Sequence, residues 1–541
     1  MGVTGADRLA QVLAQYGCRQ AFGIPGGEVL ALVEALSGAG IEPVLVKHEN
    51  AGGFMAEGVW HAMANAGTQA PALLYATLGP GVANAVNVVA NAMQDRVPMI
   101  FITGCVDQAD AETYTHQVFD HQALLRPIVK ASFRATPSTA GLVAQKAVRI
   151  AMSGRPGPVH IDLPISVAEG EALEAEAPPP ALVAPAAPAP SSELDLARSL
   201  FARAERPIIL AGLDVVNQGA GPALAAMARR FSIPVVTTYK AKGVLPETDP
   251  LSLGGAGLSP KADAMILPLL RQSDCIILAG YDPIEMRVNW RRQWPDDAPV
   301  IDIVAQDMPH GMHAVRHLFT GVVAETLDAL ASGATPRRTW ADGAPARVKA
   351  ELETSFAAPS HWGPHQVFAT MREALPPEAV ITADSGAHRI LLSQMWRSPG
   401  PRMMLQSSGL CTMGCAVPLA AGYRLAAPQT PVCAFVGDAG LEMMLGDLAT
   451  IRDLRLPVVI CVLVDESLAL IELKQRATQR PNRAVDFGGT DFPAIARAFG
   501  GHGVWIDGRD SLAQEAQAAL ARDSFTILAC RIQRRAYDGA F

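Results

Sequence analysis

The chain has 541 residues, of which 50 % are apolar and 18 % charged, with a formal net charge of −8. This is too long for one hydrophobic core and too apolar for disorder, and the acidic balance without any run of Lys or Arg excludes a nucleic-acid footprint. The cysteines (Cys18, Cys105, Cys275, Cys411, Cys415, Cys433, Cys461, Cys530) show no CxxC spacing, which suits reduced, buried thiols in a cytoplasmic protein better than zinc or disulfides.

The N-terminus lacks a basic segment followed by an apolar run, so no secretory signal is expected. From there helical patterns alternate with short apolar runs: EPVLVKHE, PALLYAT, MIFITG and, after the breaker SGRPGP, VHIDLP. Alternation of this kind predicts β/α units and a parallel sheet covered on both faces. Two uncharged stretches, 68–94 and 403–423, are long enough to cross a bilayer, but Gly, Pro and Asn interrupt them and no span is expected. A Pro/Ala linker follows at 176–192. A second series (RPIILAG, IPVVTTY, SDCIILAG, APVIDIV) fills 193–335, and a polar linker covers 336–354. The third series, 355–541, carries AVITADSG, TPVCAFVGD, LPVVICVLVDES and SFTILACRI. The fold class is therefore α/β, with three doubly wound domains, of which the first (1–175) and third read as copies of one design. The sequence leaves open whether the tail AYDGAF is mobile or closes over a site.

The strongest chemical signal is in the third domain. An apolar strand runs into Gly437-Asp438-Ala439-Gly440, and a second strand ends twenty-seven positions later in Asp465-Glu466-Ser467. Ligands collect at the carboxyl edge of a parallel sheet, where Gly437 and Gly440 would let the backbone approach a phosphate while Asp438 and Asp465 offer oxygen ligands to Mg²⁺. The competing reading makes both aspartates caps of local turns. Further candidates are Glu49 at the end of a strand, Pro25-Gly26, Thr77-Leu78-Gly79-Pro80-Gly81 with Asn84, the loop His116-Gln117-Val118-Phe119-Asp120-His121, Ser385-Gly386-Ala387-His388, and Ser408 to Gly414. The bland reading of the loop is a polar surface segment, and His121 is assigned to it.

Taken together and in this order, these segments resemble the thiamine-diphosphate (ThDP) enzyme family, and within it the acetolactate synthases. The resemblance implies a pyrimidine-binding domain, a central domain without catalytic motifs and a diphosphate-binding domain. It implies cofactor contacts from Pro25, Gly26, Glu49, Asn84, Gly386, His388, Cys411, Met413, Gly437, Asp438, Ala439, Gly440, Asp465 and Ser467. Mg²⁺ would be held by Asp438, Asp465 and the Ser467 carbonyl. Glu49 would bind pyrimidine N1′ so that the cofactor's own 4′-amino group removes the thiazolium C2 proton. Met413 would wedge the two rings into a V, with the Cys411 carbonyl on the 4′-amino group, and the catalytic candidates would include His116 and Gln117 beside the reacting carbon. Ala439 and Cys411 depart from the glycines usual there. The implied reaction is addition of the C2 ylid to a pyruvate-like 2-oxo acid, loss of CO₂ to an enamine, and transfer to a carbonyl acceptor. Other ThDP chemistries stay open: an aldehyde-releasing decarboxylase, a benzaldehyde-lyase-like enzyme, a sulfoacetaldehyde acetyltransferase-like enzyme, or, from another class, a catalytically dead regulatory subunit. Since Glu49 and Asp438 meet across subunits in that family, a homodimer or tetramer is expected, with neither nucleic acid nor membrane as partner. FAD is disfavoured, because Gly280-Tyr281-Asp282-Pro283-Ile284-Glu285 stands where flavin-binding relatives carry an Arg-Phe-Asp-Asp-Arg-like stretch.

Overall fold

A computed structural model describes residues 2–173, 184 and 186–541; most of the linker expected at 176–192 lies outside them. The chain forms three six-stranded sheets in which every strand pair is parallel. The first uses β1 (Gln20–Ile24), β2 (Glu42–Leu45), β3 (Ala72–Ala76), β4 (Met99–Cys105), β5 (Ala131–Arg134) and β6 (Val159–Pro164), in the order 2-1-3-4-6-5. The second uses β7 (Pro207–Ala211), β8 (Val235–Thr237), β9 (Ser252–Gly255), β10 (Cys275–Ala279), β11 (Val300–Val304) and β12 (His317–Thr320), in the order 12-11-10-7-8-9. The third uses β13 (Val380–Ala383), β14 (Met404–Gln406), β15 (Val432–Gly437), β16 (Val459–Val464), β17 (His502–Ile506) and β18 (Thr526–Arg531), in the order 14-13-15-16-18-17.

Renumbered from its own first strand, the third sheet has the order of the first, as the sequence reading expects of two copies. The central sheet instead has the dinucleotide-fold order. In each sheet the strand order reverses beside the first strand, and the crevice at that switch point is where an open α/β sheet admits ligands. The first and third sheets reverse between β1 and β3 and between β13 and β15. The glycine-bearing turns picked out in the sequence follow these four strands.

The two similar domains are joined by a close helix pair. Helix Glu49–Asn65, rich in Ala and Gly, lies against helix Ala416–Ala426. A Cβ on Gly58 would sit 2.2 Å from the Leu419 carbonyl oxygen, and one on Gly422 would sit 1.8 Å from that of Met55. Only glycine permits this approach. A continuous apolar core then runs through both domains, from Phe54, Leu74 and Val82 to Val417, Leu419 and Ala434. A second core joins the central sheet to the far face of the third, through Ile208, Leu278 and Trp290 on one side and Val367 and Phe435 on the other. Among the described residues no helix is long and apolar enough to cross a membrane. The two uncharged stretches are instead core: β3 with helix Pro80–Gln94, and β14 with helix Ala416–Ala426.

Candidate active site

At the switch point of the third sheet lies a cavity of about 540 Å³, lined among others by Gly386, His388, Cys411, Met413, Gly437, Asp438, Ala439, Gly440, Asp465 and Ser467. The fold brings together every residue assigned to the diphosphate side. Asp438 is buried and accepts from the backbone N–H of Ala439 (2.9 Å), Asp465 (3.1 Å) and Glu466 (2.7 Å). It thus does cap two turns, as the bland reading held, yet it also faces the cavity. Asp465 is buried as well; its Oδ2 has no partner, and burial together with the charge of Asp438 pushes its carboxyl up to about 7. Two converging carboxyl groups with an orphaned oxygen suit a divalent cation, whose charge would reverse that shift. Between Asp465 and Ser467, Glu466 takes a left-handed φ of 54°, which turns the chain so that both neighbours line the cavity.

Three further features fit a diphosphate. His388 is buried with Nε2 unpartnered, and burial, then the charge of Arg389, pushes its imidazole down to about 3, so the ring is neutral and carries one N–H. Ser385 Oγ is likewise buried without a partner. A Cβ on Gly440 would meet Asp384 Oδ2 at 2.1 Å, so only glycine leaves room there. Ala439 lies in helix Asp438–Glu442 and is absent from the residues with positive φ, so the departure from glycine brings no strain.

The Ser408–Gly414 turn is held from several sides. Asp384, fully buried at the end of β13, accepts from Gly414 N and Cys415 N, both at 2.9 Å. Cys411 has a φ of 57°, and its exposed side chain donates to the Ser408 carbonyl and receives Arg389 at 3.2 Å. Helix Pro80–Gln94 fixes the turn from the first domain: Asp95 accepts from Gly409 N at 2.7 Å, Asn91 from Ser407 Oγ at 2.6 Å and Asn87 from Thr412 Oγ1 at 3.0 Å. The tail is anchored: Tyr537 is buried against the cavity, while Arg476 pairs with both Glu472 and Asp538.

The pyrimidine-side residues gather at the other switch point. Glu49 opens helix Glu49–Asn65, is 3 % exposed and accepts from Asn84 Nδ2 at 3.0 Å. Pro25 and Gly26 follow β1, and a Cβ on Gly26 would strike Thr77 Oγ1 at 2.2 Å. Gln117, at a φ of 60°, presses its carbonyl against Gly79, where a Cβ would lie 2.4 Å away. His116 and Gln117 are exposed, and none of Pro25, Gly26, Glu49, Asn84, His116 and Gln117 lines the Asp438 cavity of the same chain.

His121 corrects the sequence reading. It is buried, its Nδ1 lies 2.9 Å from Asp162 Oδ1, and its Nε2 accepts from Gly79 N at 3.3 Å. With Thr103, Ser132 and His160 it forms a bonded network under the Gln117 loop. Both nitrogens of each histidine are engaged in it, so the cluster braces a loop and offers no open metal position. Asp384, Arg389 and Arg287 also escaped the sequence reading; Asp384, directly before Ser385-Gly386 at a strand end, left the one signal that could have been caught.

Three models of thiamine pyrophosphate enzymes match in this order: the N-terminal TPP binding domain at residues 3–124, the central domain at 194–330 and the C-terminal TPP binding domain at 384–530. The chain belongs to the thiamine pyrophosphate enzyme family. It is a ThDP-dependent enzyme of the transferase type. It is similar to the acetolactate synthase isozyme 1 large subunit of Escherichia coli (strain K12), at 32 % identity over 92 % of this chain and 88 % of the relative. The acetolactate synthase large subunit of Parasynechococcus marenigrum (strain WH8102) is 29 % identical over 98 % and 88 %, and the acetolactate synthase of Bacillus subtilis (strain 168) is 27 % identical over 97 % and 92 %. The two TPP-binding models fall within the two domains of equal strand order, and the whole cavity-lining set from Ser385 to Lys474 falls inside the C-terminal one.

Proposed function

We propose that this family member is a ThDP- and Mg²⁺-dependent carboligase that takes an acyl group from a pyruvate-like 2-oxo acid and joins it to a carbonyl acceptor, as the names of its relatives suggest. The observation that carries this reading is the set of buried, unpartnered polar atoms facing one cavity: His388 Nε2, Ser385 Oγ and Asp465 Oδ2. A diphosphate with its cation would satisfy all three. When bound, ThDP would supply a nucleophilic carbon and an electron sink for the decarboxylation of a 2-oxo acid.

The chain's own residues do the rest. Asp438, Asp465 and the Ser467 carbonyl would hold Mg²⁺, the bound diphosphate's charge would favour protonation of His388 so that Nε2 donates to a phosphate oxygen, Gly437 would let the backbone approach the phosphate, and Gly440 leaves room for the Asp384 carboxyl behind it. Met413 would stand against the cofactor's rings, and the Cys411 carbonyl would accept from its amino group. Glu49, oriented by Asn84, holds the proton at pyrimidine N1′. Gln117, with its loop braced by His121, meets the substrate carbonyl. Because Glu49 and the Asp438 cavity occupy separate places in one chain, the complete site forms between one protomer and a second copy, and the working unit is a dimer or a dimer of dimers. Eight free cysteines suit a cytoplasmic setting.

The central domain does not fit a flavin. Its switch-point crevice, between β7 and β10, is filled by arginines of the first domain: Arg96 pairs with Asp282 at 2.8 Å, and Arg155 reaches both Asp214 and Asp282. The cavity left beside it is only about 160 Å³, short of the space a dinucleotide needs.

The test is incubation of the full chain with ThDP, Mg²⁺ and a panel of ¹³C-labelled 2-oxo acids and aldehydes, followed by NMR. The reading expects CO₂ release coupled to a new carbon–carbon bond. Aldehyde as the sole product, or no ThDP affinity with Mg²⁺ present, would overturn it.

A further inference from the structure

The Ser408–Gly414 turn, which carries the Cys411 carbonyl and Met413, is held at both ends by buried carboxyl groups of different domains. Asp384 takes Gly414 N and Cys415 N at the far end. At the near end Asp95, the residue that closes helix Pro80–Gln94, is 2 % exposed and accepts from Gly409 N at 2.7 Å and Ser408 N at 3.1 Å. Asp95 is itself held from behind by the central domain. Lys240, on the loop after β8, is buried; its Nζ lies 2.7 Å from Asp95 Oδ2, and its backbone N–H donates to Glu285 Oε1 at 2.9 Å. Glu57 stands farther from Lys240 Nζ, at 3.8 Å, and burial pushes its carboxyl up, which leaves Asp95 as the principal counter-charge. Burial works against the Lys240 ammonium, and the charges of Asp95 and Glu57 outweigh it.

A buried acid bonded on one side to an ammonium and on the other to two backbone N–H groups has little freedom to move, because each bond is charge-assisted and costly to leave unmade. Lys240, Asp95 and Gly409 thus form a rigid line from the central domain, across the first, into the cofactor turn of the third. The turn needs such a hold. Cys411, two residues beyond Gly409, has a φ of 57°, a left-handed conformation that a residue with a Cβ keeps only when its flanks are fixed. If the Asp95 end is released, Cys411 relaxes and its carbonyl turns. The same central-domain loop supplies an internal comparison. Lys242 Nζ lies 2.5 Å from Glu247 Oε1, and Glu247 Oε2 accepts from Ser398 N at 2.6 Å. This second pair of lysine and acid grips the third domain at a segment that does not line the Asp438 cavity.

We propose that Lys240 and Asp95 are positioning residues for cofactor activation: the pair sets the place of the Cys411 carbonyl, and through it the orientation of the cofactor's amino group toward the thiazolium C2 proton. Through Lys240 the central domain then acts on the chemistry without touching the reacting atoms. This inference rests on the ring contacts proposed for Cys411 and Met413, and is independent of the donor and the acceptor.

The test uses the full chain and needs no substrate. Without cofactor, amide hydrogen exchange over 408–414 is followed by mass spectrometry. With ThDP and Mg²⁺ bound, exchange of the C2 proton is timed by acid quench and NMR, beside ThDP affinity and the melting temperature. In Lys240→Met and Asp95→Asn, residues 408–414 are expected to exchange faster. C2 exchange at saturating ThDP should slow about ten- to a hundred-fold, the scale of a reacting group misplaced from afar, with ThDP affinity changing by a much smaller factor. Lys242→Met removes a comparable buried pair, so it should lower the melting temperature and leave both exchange rates as in wild type. Unchanged exchange at 408–414, C2 exchange restored in full by more ThDP, or the same loss of C2 exchange in Lys242→Met would each overturn the proposal. Lys240→Met leaves a buried acid uncompensated; should it fail to fold, Asp95→Asn decides the matter, since it keeps an oxygen for Gly409 N and leaves Lys240 beside Glu57. Aldehyde as the sole product of turnover would remove the carboligase reading and leave this one standing, whereas wild-type C2 exchange in both variants overturns this one alone.

Discussion

Glu49 and Glu285 are both buried carboxyl groups, and their surroundings give them opposite tasks. Glu49 has a dedicated orienting partner in Asn84. Under the role proposed for it, Glu49→Gln keeps the shape but cannot hold a proton at N1′ in the same way, so turnover should drop about 10²–10⁴-fold with ThDP still bound, measured by CO₂ release and by cofactor titration. Glu285 is 7 % exposed, and burial pushes its carboxyl up to about 7, against hydrogen bonds and the Lys240 charge that pull the other way. Its Oε2 is unpartnered. A raised carboxyl contributes stability that is complete below its unfolded value and is lost as pH rises through about 7. Glu285→Gln should therefore raise the melting temperature at pH 8 and leave it nearly unchanged at pH 5; a larger gain at pH 5 would contradict this assignment. At this scale the sequence reveals residues whose neighbours in the chain announce them. Asp438 and Asp465 sit between glycines or at strand ends, and both are found in the cavity. His121 gives no such sign, because its meaning depends on Asp162, forty-one positions away, and on the backbone of Gly79. Arg389 and Arg287 are hidden for the same reason: two guanidinium groups become a feature only once separate domains bring them together.

Between elements, the contact that fixes the molecule is the pair of helices Glu49–Asn65 and Ala416–Ala426. Gly422→Ala places a methyl group 1.8 Å from the Met55 carbonyl oxygen and must push the helices apart. A loss on the order of 3 kcal/mol is expected from denaturant unfolding, and because the shift displaces Glu49 at the head of the same helix, turnover should fall with it. An unchanged midpoint would mean that the helices reseat without strain. The buried strands are legible, since β3, β4, β7, β10, β15 and β16 are nearly continuous apolar runs and β11 and β18 are interrupted only by Asp302 and by their end residues, as expected of strands covered on both faces. The strands that escaped include β5, β9, β12, β14 and β17, each at the edge of its sheet. An edge strand has one neighbour and partial cover, so it is short or mixed in polarity: β5 is half-buried at every position, and β14 has three residues. Without a run or an alternation, periodicity has nothing to report.

For the whole molecule, the two similar domains place the two halves of the chemistry in different parts of one chain. Glu49 and its turn belong to one switch point, Asp438 and its cavity to another, and helix Pro80–Gln94 touches both, through Asn84 at one end and Asp95 at the other. Under the proposed dimer, every catalytic centre borrows an acid from one polypeptide and a metal from the next. Two lesions that each abolish activity then cease to be equivalent when they sit on different polypeptides. A Glu49→Gln chain and an Asp438→Asn chain, inactive apart, should recover about a quarter of normal turnover after subunit exchange, because half the pairs are mixed and each mixed pair rebuilds one intact centre. Assayed in a cell, the same arithmetic is allelic complementation: two null copies of one gene would rescue each other, whereas a doubly mutated copy would rescue neither.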